Sequence, residues 1–182
     1  AAAQSNVVSP KKETILPRLK QAQLRDDANE STRIPARCAK AYSMKAQGTF
    51  TVAFDAHPPY DTSDGITLGR STVRKQFSGD LQASSTVEML SARTATKGSA
   101  VYVAIERVHG TLAGRSGSFV LAHMGTMNRG ASELILRVVP DSGTGQLAGL
   151  SGTMTIDIQA GVHSYGFDYS VDASAAEGQT QS

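Results

Sequence analysis

The sequence predicts an all-β protein of about eight antiparallel strands, preceded by a mostly irregular N-terminal arm. Residues 101–112 and 117–124 are two β-rich runs separated by a short turn that contains Gly114, which is a strong signal for a hairpin. Further β-rich runs follow at even spacing between Gly-rich turns, with no helical periodicity between them. This pattern is typical of a closed barrel or a sandwich.

The runs that we assign to strands each have a period of two or a high content of β-branched residues. In the first of them Ala46, Phe50 and Phe54 alternate with polar residues, as in a half-buried strand. The predicted strands cover residues 44–54, 66–77, 79–90, 101–112, 117–124, 132–139, 149–158 and 163–171.

The segments outside these strands differ from them in composition. Residues 1–43 lack strand alternation and contain Pro10, Pro17 and Pro35, so we expect a flexible basic arm, with room for a short helix over residues 13–28. Residues 173–182 are small and polar and predict a disordered tail. The barrel domain is therefore expected over residues 44–172.

The length, cysteine count and charge distribution exclude several classes of protein. The 182 residues suffice for one hydrophobic core, and the single cysteine excludes an internal disulfide. Residues 1–44 carry eight Lys or Arg and four Asp or Glu, whereas the remainder carries ten and twelve. This remainder lacks the basic stripe and stacking aromatics of a nucleic-acid-binding domain. No apolar run approaches the roughly 18 residues of a transmembrane helix, so no membrane partner is expected. The sequence does not distinguish a cytoplasmic protein from one that is exported after removal of a leader.

The hairpin predicts a partly polar interior. If its turn is centred on residues 114–115, Leu112 lies opposite Gly117 and Glu106 lies opposite His123, all on one face of the pair. An otherwise apolar face then ends in a Glu–His pair. Such an interior is expected of a barrel with a ligand cavity, because an eight-stranded barrel is wide enough for side chains and one small ligand.

Four segments carry a resemblance to known proteins. They are residues 77–81 (FSGDL), 105–112 (IERVHGTL), 114–121 (GRSGSFVL) and 143–152 (GTGQLAGLSG). The last resembles the late-barrel segment of allene oxide cyclases and dirigent proteins, and the set is similar to a bacterial domain family of unknown function with the allene oxide cyclase-like barrel. The resemblance, over roughly residues 44–172, implies an eight-stranded up-and-down barrel, often oligomeric, with a central cavity. The active-site pattern of the plant cyclase is not matched, so none of its catalytic residues is carried over.

Three residues are candidates for catalysis. Glu106 beside His123 would hold one imidazole tautomer and form an acid/base pair, although a buried ion pair without chemistry is the alternative. Glu88 is the third candidate. It lies on the polar face of the third strand. In a solid-core barrel this face is outside, whereas in a barrel whose outer surface is packed in an oligomer it can line a cavity. The outward placement is slightly favoured.

Four further residues are candidates for ligand binding. Tyr102 shares the face of Glu106, and His163 and Tyr165 lie on the aromatic face of the last strand. Arg137 is a candidate for binding a carboxylate. The alternatives are a tyrosine that caps the barrel end, core packing of the last strand, and a surface position for the arginine. No clustered His/Cys pattern has metal-ligand spacing, so no metal site is expected, and no cofactor is expected.

These observations favour a barrel that binds an apolar or amphipathic small organic molecule. One alternative is a cofactor-free isomerase or cyclase that uses the Glu–His pair. The other is a structural, oligomer-forming module whose barrel is filled by side chains. Homo-oligomers are expected because apolar outer faces need burial.

Overall fold

The computed structural model describes residues 43–172, and these residues form a closed antiparallel barrel with the strand order β1-β2-β3-β4-β5-β6-β7-β8. The predicted all-β, eight-stranded fold is thereby confirmed. The predicted arm, apart from Ser43, and the predicted tail lie outside the described residues. The strands are β1 Met44–Ala56, β2 Thr67–Gly79, β3 Leu81–Arg93, β4 Ala100–Leu112, β5 Arg115–Asn128, β6 Ala131–Val138, β7 Leu150–Gln159 and β8 Val162–Val171.

The β4–β5 hairpin has a tighter turn than the sequence predicted. Ala113 and Gly114 form the turn with φ of 47° and 83°, as in a type I′ turn, and Leu112 lies opposite Arg115. The predicted register is therefore wrong by two residues: Glu106 lies opposite Leu121, and His123 lies opposite Ala104. Because side chains alternate with a period of two, a shift of two leaves both Glu106 and His123 on the inward face.

One end of the barrel is closed by a continuous apolar core. The β2–β3 and β4–β5 turns lie at this end, together with the connection from β6 to β7. Large side chains contributed by most of the strands fill the interior there, and several have less than 2% of their surface exposed. The most deeply buried apolar side chains are Leu81, Val108, Leu112, Phe119, Leu121, Leu136, Leu147 and Phe167.

The β6–β7 connection explains why β6 is the shortest strand. This loop runs beside the first half of β5, where the N–H of Ser118 donates to Thr144 Oγ1 (3.0 Å) and the N–H of Val120 donates to Ser142 Oγ (3.0 Å). It also buries Leu147, which belongs to a 3-10 helix over Gly145–Leu147. The loop thus takes the place that a longer β6 would occupy. The seam between β6 and β7 is left with one register pair, Arg137 opposite Thr153.

The other end is open. Its rim consists of the β1–β2 and β3–β4 loops and the short β5–β6 and β7–β8 turns. Within residues 43–172 the helices are two 3-10 turns of three residues each, and neither is long or apolar enough to cross a membrane.

Candidate functional site

A buried polar cluster lies in the interior, between the packed core and the open end. It consists of Lys75, Ser85, Glu106 and His123, which come from the inward faces of β2, β3, β4 and β5. Glu106 is fully buried, and Lys75 and His123 are each 7% exposed. The Nζ of Lys75 lies 2.8 Å from Glu106 Oε2, and Ser85 Oγ donates to Glu106 Oε1. Glu106 is thus the centre of the cluster.

The strand register brings these side chains together. Lys75 lies opposite Ser85 in the β2–β3 pair, and Glu106 lies opposite Val87, one inward position further along β3. The long Lys75 side chain therefore reaches across β3 to a carboxylate two strands away. Its ammonium also lies 5.2 Å from the ring centroid of Phe50 and 5.7 Å from that of Phe77, within the range of cation–π contacts.

The ionised form of Glu106 is strongly favoured. Burial by itself would raise the pKa of this carboxyl, but contact with His123, the charge and hydrogen bond of Lys75 and the hydrogen bond from Ser85 outweigh it. Together they lower the pKa of Glu106 to about 2. Near neutral pH Glu106 is therefore a carboxylate that holds its neighbours in place and has no proton to donate.

His123 touches the same carboxylate without a well-aligned hydrogen bond. Its Nε2 lies 2.8 Å from Glu106 Oε2, yet this buried nitrogen has no partner in hydrogen-bond geometry. The distance is short enough for a hydrogen bond, but a hydrogen bond weakens steeply when the N–H does not point at the acceptor. The contact between His123 and Glu106 is therefore mainly electrostatic. The predicted Glu–His pair thus exists, with diagonal instead of directly opposed residues.

Tyr102 faces inward on the open side of this cluster. Its ring lies against Gly125, where any side chain would collide with the ring atoms. Burial, together with the charge of Glu106, raises the pKa of the Tyr102 hydroxyl. The hydroxyl therefore stays protonated and is a donor at neutral pH. Within residues 43–172 it has no hydrogen-bond partner.

Apolar side chains on the inward faces of the strands are exposed at the open end. Phe54 on β1 is 57% exposed and Ile158 on β7 is 60% exposed, although both continue the face that is buried deeper in the barrel. The unpaired part of the β6–β7 seam lies between Leu134 and Ile158. The inward-facing apolar residues that are 37–60% exposed are called the open-end ring. They are Val52, Phe54, Met127, Leu134 and Ile158.

The two candidates on β8 have different surroundings. Tyr165 is buried, and its hydroxyl accepts a hydrogen bond from the N–H of Leu81 (2.8 Å) and donates to the carbonyl of Ser78 (3.4 Å). It therefore fixes the β2–β3 turn at the closed end. His163 is half-buried on the inward face, with its ring 5.2 Å from that of Phe50, towards the open end.

Glu88 and Arg137 lie on the outer surface and do not join the interior cluster. Glu88 forms an exposed ion pair with Arg70 (2.9 Å) and accepts a hydrogen bond from Thr72. It lies on the face of β3 that alternates with buried Leu81 and Ala83, so the outward alternative for this strand is the correct one. Arg137 is likewise exposed, opposite Ala122 on the outer face of the sheet.

Lys75 and Ser85 were missed as site residues by the sequence reasoning. A signal for both exists in the period of two: Lys75 shares a face with Val73 and Phe77, and Ser85 shares a face with Ala83 and Val87. A polar residue inside an apolar face was recognised on β4 and β5 but not on β2 and β3.

The outer surface of β3, β4 and β5 carries a second apolar area. Leu90, Val103 and Met124 are neighbours across the three strands, and Val101 and Ile105 flank Val103 along β4. Ile105 is 55% exposed. A shallow groove of about 480 Å³ is lined by three of these residues, Leu90, Val103 and Ile105, and by the ion-paired Arg70 and Glu88. We call this area the β3–β5 face.

The fold and the interior cluster define a class of small closed β-barrels with a polar group at the centre. Within this class, the family described as "Protein of unknown function (DUF3224)" has a sequence profile that matches residues 46–169, and the chain belongs to that family. The expected resemblance to a bacterial family of unknown function with an eight-stranded barrel is thereby confirmed.

A solved structure agrees with this assignment. A crystal structure at 1.84 Å resolution of a DUF3224 family protein of unknown function from Shewanella oneidensis MR-1 is 49% identical and has a TM-score of 0.69. The alignment covers 72% of this chain and 99% of that chain. The comparison with curated proteins finds no match.

Proposed function

We propose that the barrel binds an apolar or amphipathic small organic molecule through its open end. The observation that carries this proposal is the open-end ring, five apolar side chains that face inward and are nevertheless 37–60% exposed. An apolar molecule seated there would remove this surface from water, which is the main driving force for binding. The interior cluster lies deeper in the barrel, mostly on other strands, and Tyr102 is level with Leu134 through the register pairs Tyr102–Gly125 and Gly125–Leu134. These residues supply polar groups for orientation.

We also propose that copies of this chain associate through the β3–β5 face. Contiguous exposed apolar areas on a folded protein are typical of interaction surfaces, whereas singly scattered apolar residues are not. A symmetric contact would bury Val103 and Ile105 against the same residues of a second copy. The small-molecule site and the association surface are then on opposite faces of the sheet, so each can be tested without the other.

Two isoleucines provide a matched pair of variants for both proposals. Ile158 and Ile105 are 60% and 55% exposed, but Ile158 belongs to the open-end ring and Ile105 to the β3–β5 face. We expect Ile158→Asn to weaken binding of Nile red, a neutral apolar dye, by roughly tenfold, because it removes a large part of one apolar contact. We expect Ile105→Asn to leave dye binding unchanged and to reduce the mass measured by sedimentation.

The outcomes separate the two proposals. No saturable dye binding to the native protein, or a loss of binding in Ile105→Asn alone, overturns the small-molecule site at the open end. A native protein that sediments as a monomer at all concentrations overturns self-association. Self-association without dye binding would favour the alternative of a structural, oligomer-forming module with a filled barrel.

The contact between Glu106 and His123 favours a second candidate, a cofactor-free isomerase or cyclase. In it, the imidazole of His123 would carry the proton, while the ionised Glu106 holds the ring and stabilises its positive charge. A compound that is bound and converted by the native protein, with conversion lost in Glu106→Gln and binding retained, would support this candidate. Binding without conversion would support the binding function alone.

A further inference from the structure

The interior cluster is unbalanced in its hydrogen-bonding groups. Glu106 is its only anion, and both carboxylate oxygens already have protein neighbours. Oε1 accepts from Ser85, and Oε2 accepts from Lys75 and contacts His123. The cluster therefore has little acceptor capacity left for a further donor.

Donors, in contrast, remain unused. The ammonium of Lys75 has three N–H groups, and it donates one hydrogen bond, to Glu106. The rings of Phe50 and Phe77 also lie close to this ammonium. The Tyr102 hydroxyl has no partner in the described part of the chain. Ser71 follows the same inward face of β2 as Lys75, and its hydroxyl has no hydrogen bond within residues 43–172 either.

We propose, on the basis of the proposed small-molecule function, that the ligand presents an acceptor oxygen, a carboxylate or a carbonyl, to the donors of Lys75 and Tyr102. An acceptor oxygen on the ligand would replace the water that these donors lose when the ligand covers them. A primary ammonium group would instead bring three more donors and a second positive charge beside Lys75. Burial and the nearby charge of Glu106 raise the pKa of the Tyr102 hydroxyl, so it keeps its proton and remains a donor.

Three probes with similar apolar chains test this preference. They are dodecanoate, the neutral ketone 2-tridecanone and dodecylammonium. Each is measured by displacement of Nile red, the two ionic probes below their micelle concentrations and the ketone below its solubility limit. We expect dodecanoate, 2-tridecanone or both to bind at least about tenfold more tightly than dodecylammonium, since hydrogen bonds to a charged donor contribute more than neutral ones. The first two probes also distinguish a carboxylate from a carbonyl.

A pair of tyrosine variants ties the preference to this site. Tyr102→Phe removes one donor without changing the ring, and we expect it to weaken the oxygen probes by about threefold to tenfold. Dodecylammonium should be unaffected. Tyr60→Phe removes the same hydroxyl from an exposed loop residue and is the control, with no expected change.

The results distinguish this inference from the proposed function. Dodecylammonium binding as tightly as the oxygen probes, or unchanged oxygen-probe binding in Tyr102→Phe, overturns the head-group preference while the open-end site stands. Failure of all three probes and of Nile red to bind overturns the proposed function itself.

Discussion

The two ends of the barrel have the same strand pattern and opposite environments. At the closed end, inward-facing Phe167 is 1% exposed and stacks on Phe119 and Tyr169. At the open end, inward-facing Phe54 is 57% exposed. Both phenylalanines obey the period of two, so periodicity fixes the direction of a side chain but not whether anything covers it. The covering at the closed end comes from turns and from the β6–β7 loop, which a strand pattern does not describe.

Truncation of these two phenylalanines gives the largest contrast. We expect Phe167→Ala to lower the free energy of unfolding by about 3–5 kcal/mol, because it leaves a cavity among packed rings. Phe54→Ala should lower it by less than about 1 kcal/mol, because most of its ring is already in water. Urea denaturation followed by circular dichroism measures both. Equal losses would mean that the open end is covered in solution, which contradicts the comparison.

The boundary between the two ends provides the second contrast. Glu106 is buried there with Lys75, whereas Glu88 is exposed with Arg70 on the outer surface. We expect Glu106→Gln to cost roughly 3 kcal/mol, because the buried ammonium of Lys75 loses its counter-charge.

The matched variant Glu88→Gln removes a carboxylate from an exposed ion pair. It should cost no more than about 1 kcal/mol, since such pairs are solvated and screened. The same urea titration measures both variants. A cost for Glu88→Gln as large as that for Glu106→Gln would show that burial does not separate the two carboxylates.

Much of the fold followed from local pattern, and the site followed only in part. All eight strands were predicted because each has a period-two or β-branched signature of its own. Glu106 and His123 were found despite a register error of two residues, since the inward face does not change under such a shift. The inward position of Lys75 was signalled by its period-two place between Val73 and Phe77 but was not recognised. Its contact with Glu106 was not predictable in this way, because it joins strands separated by β3 and depends on side-chain reach. Glu88 and Arg137 lie on the outer surface because the residues next to them in sequence, on the other face of each strand, pack into the core.

The acid side of the stability profile gives the smallest of the expected effects and the most direct test of the interior cluster. The pKa of Glu106 falls from an ordinary value of 4.5 to about 2 in the folded protein. Its stabilising contribution is therefore complete above the unfolded pKa and is lost as the pH falls towards the folded one, because the unfolded chain then binds a proton that the folded chain does not. We expect Glu106 to account for a loss of roughly 2 kcal/mol between about pH 5 and about pH 3.

Urea midpoints measured across this range in the native protein and in Glu106→Gln isolate that contribution, since other carboxyls titrate in both. The native protein should lose more stability than the variant, by roughly 2 kcal/mol. Glu88→Gln is the control and should keep nearly the full pH dependence, because an exposed carboxylate is stabilised far less by folding. Parallel profiles for the native protein and Glu106→Gln would mean that water reaches the carboxylate from the open end. The boundary between the filled and the open half of the barrel would then lie deeper than Glu106.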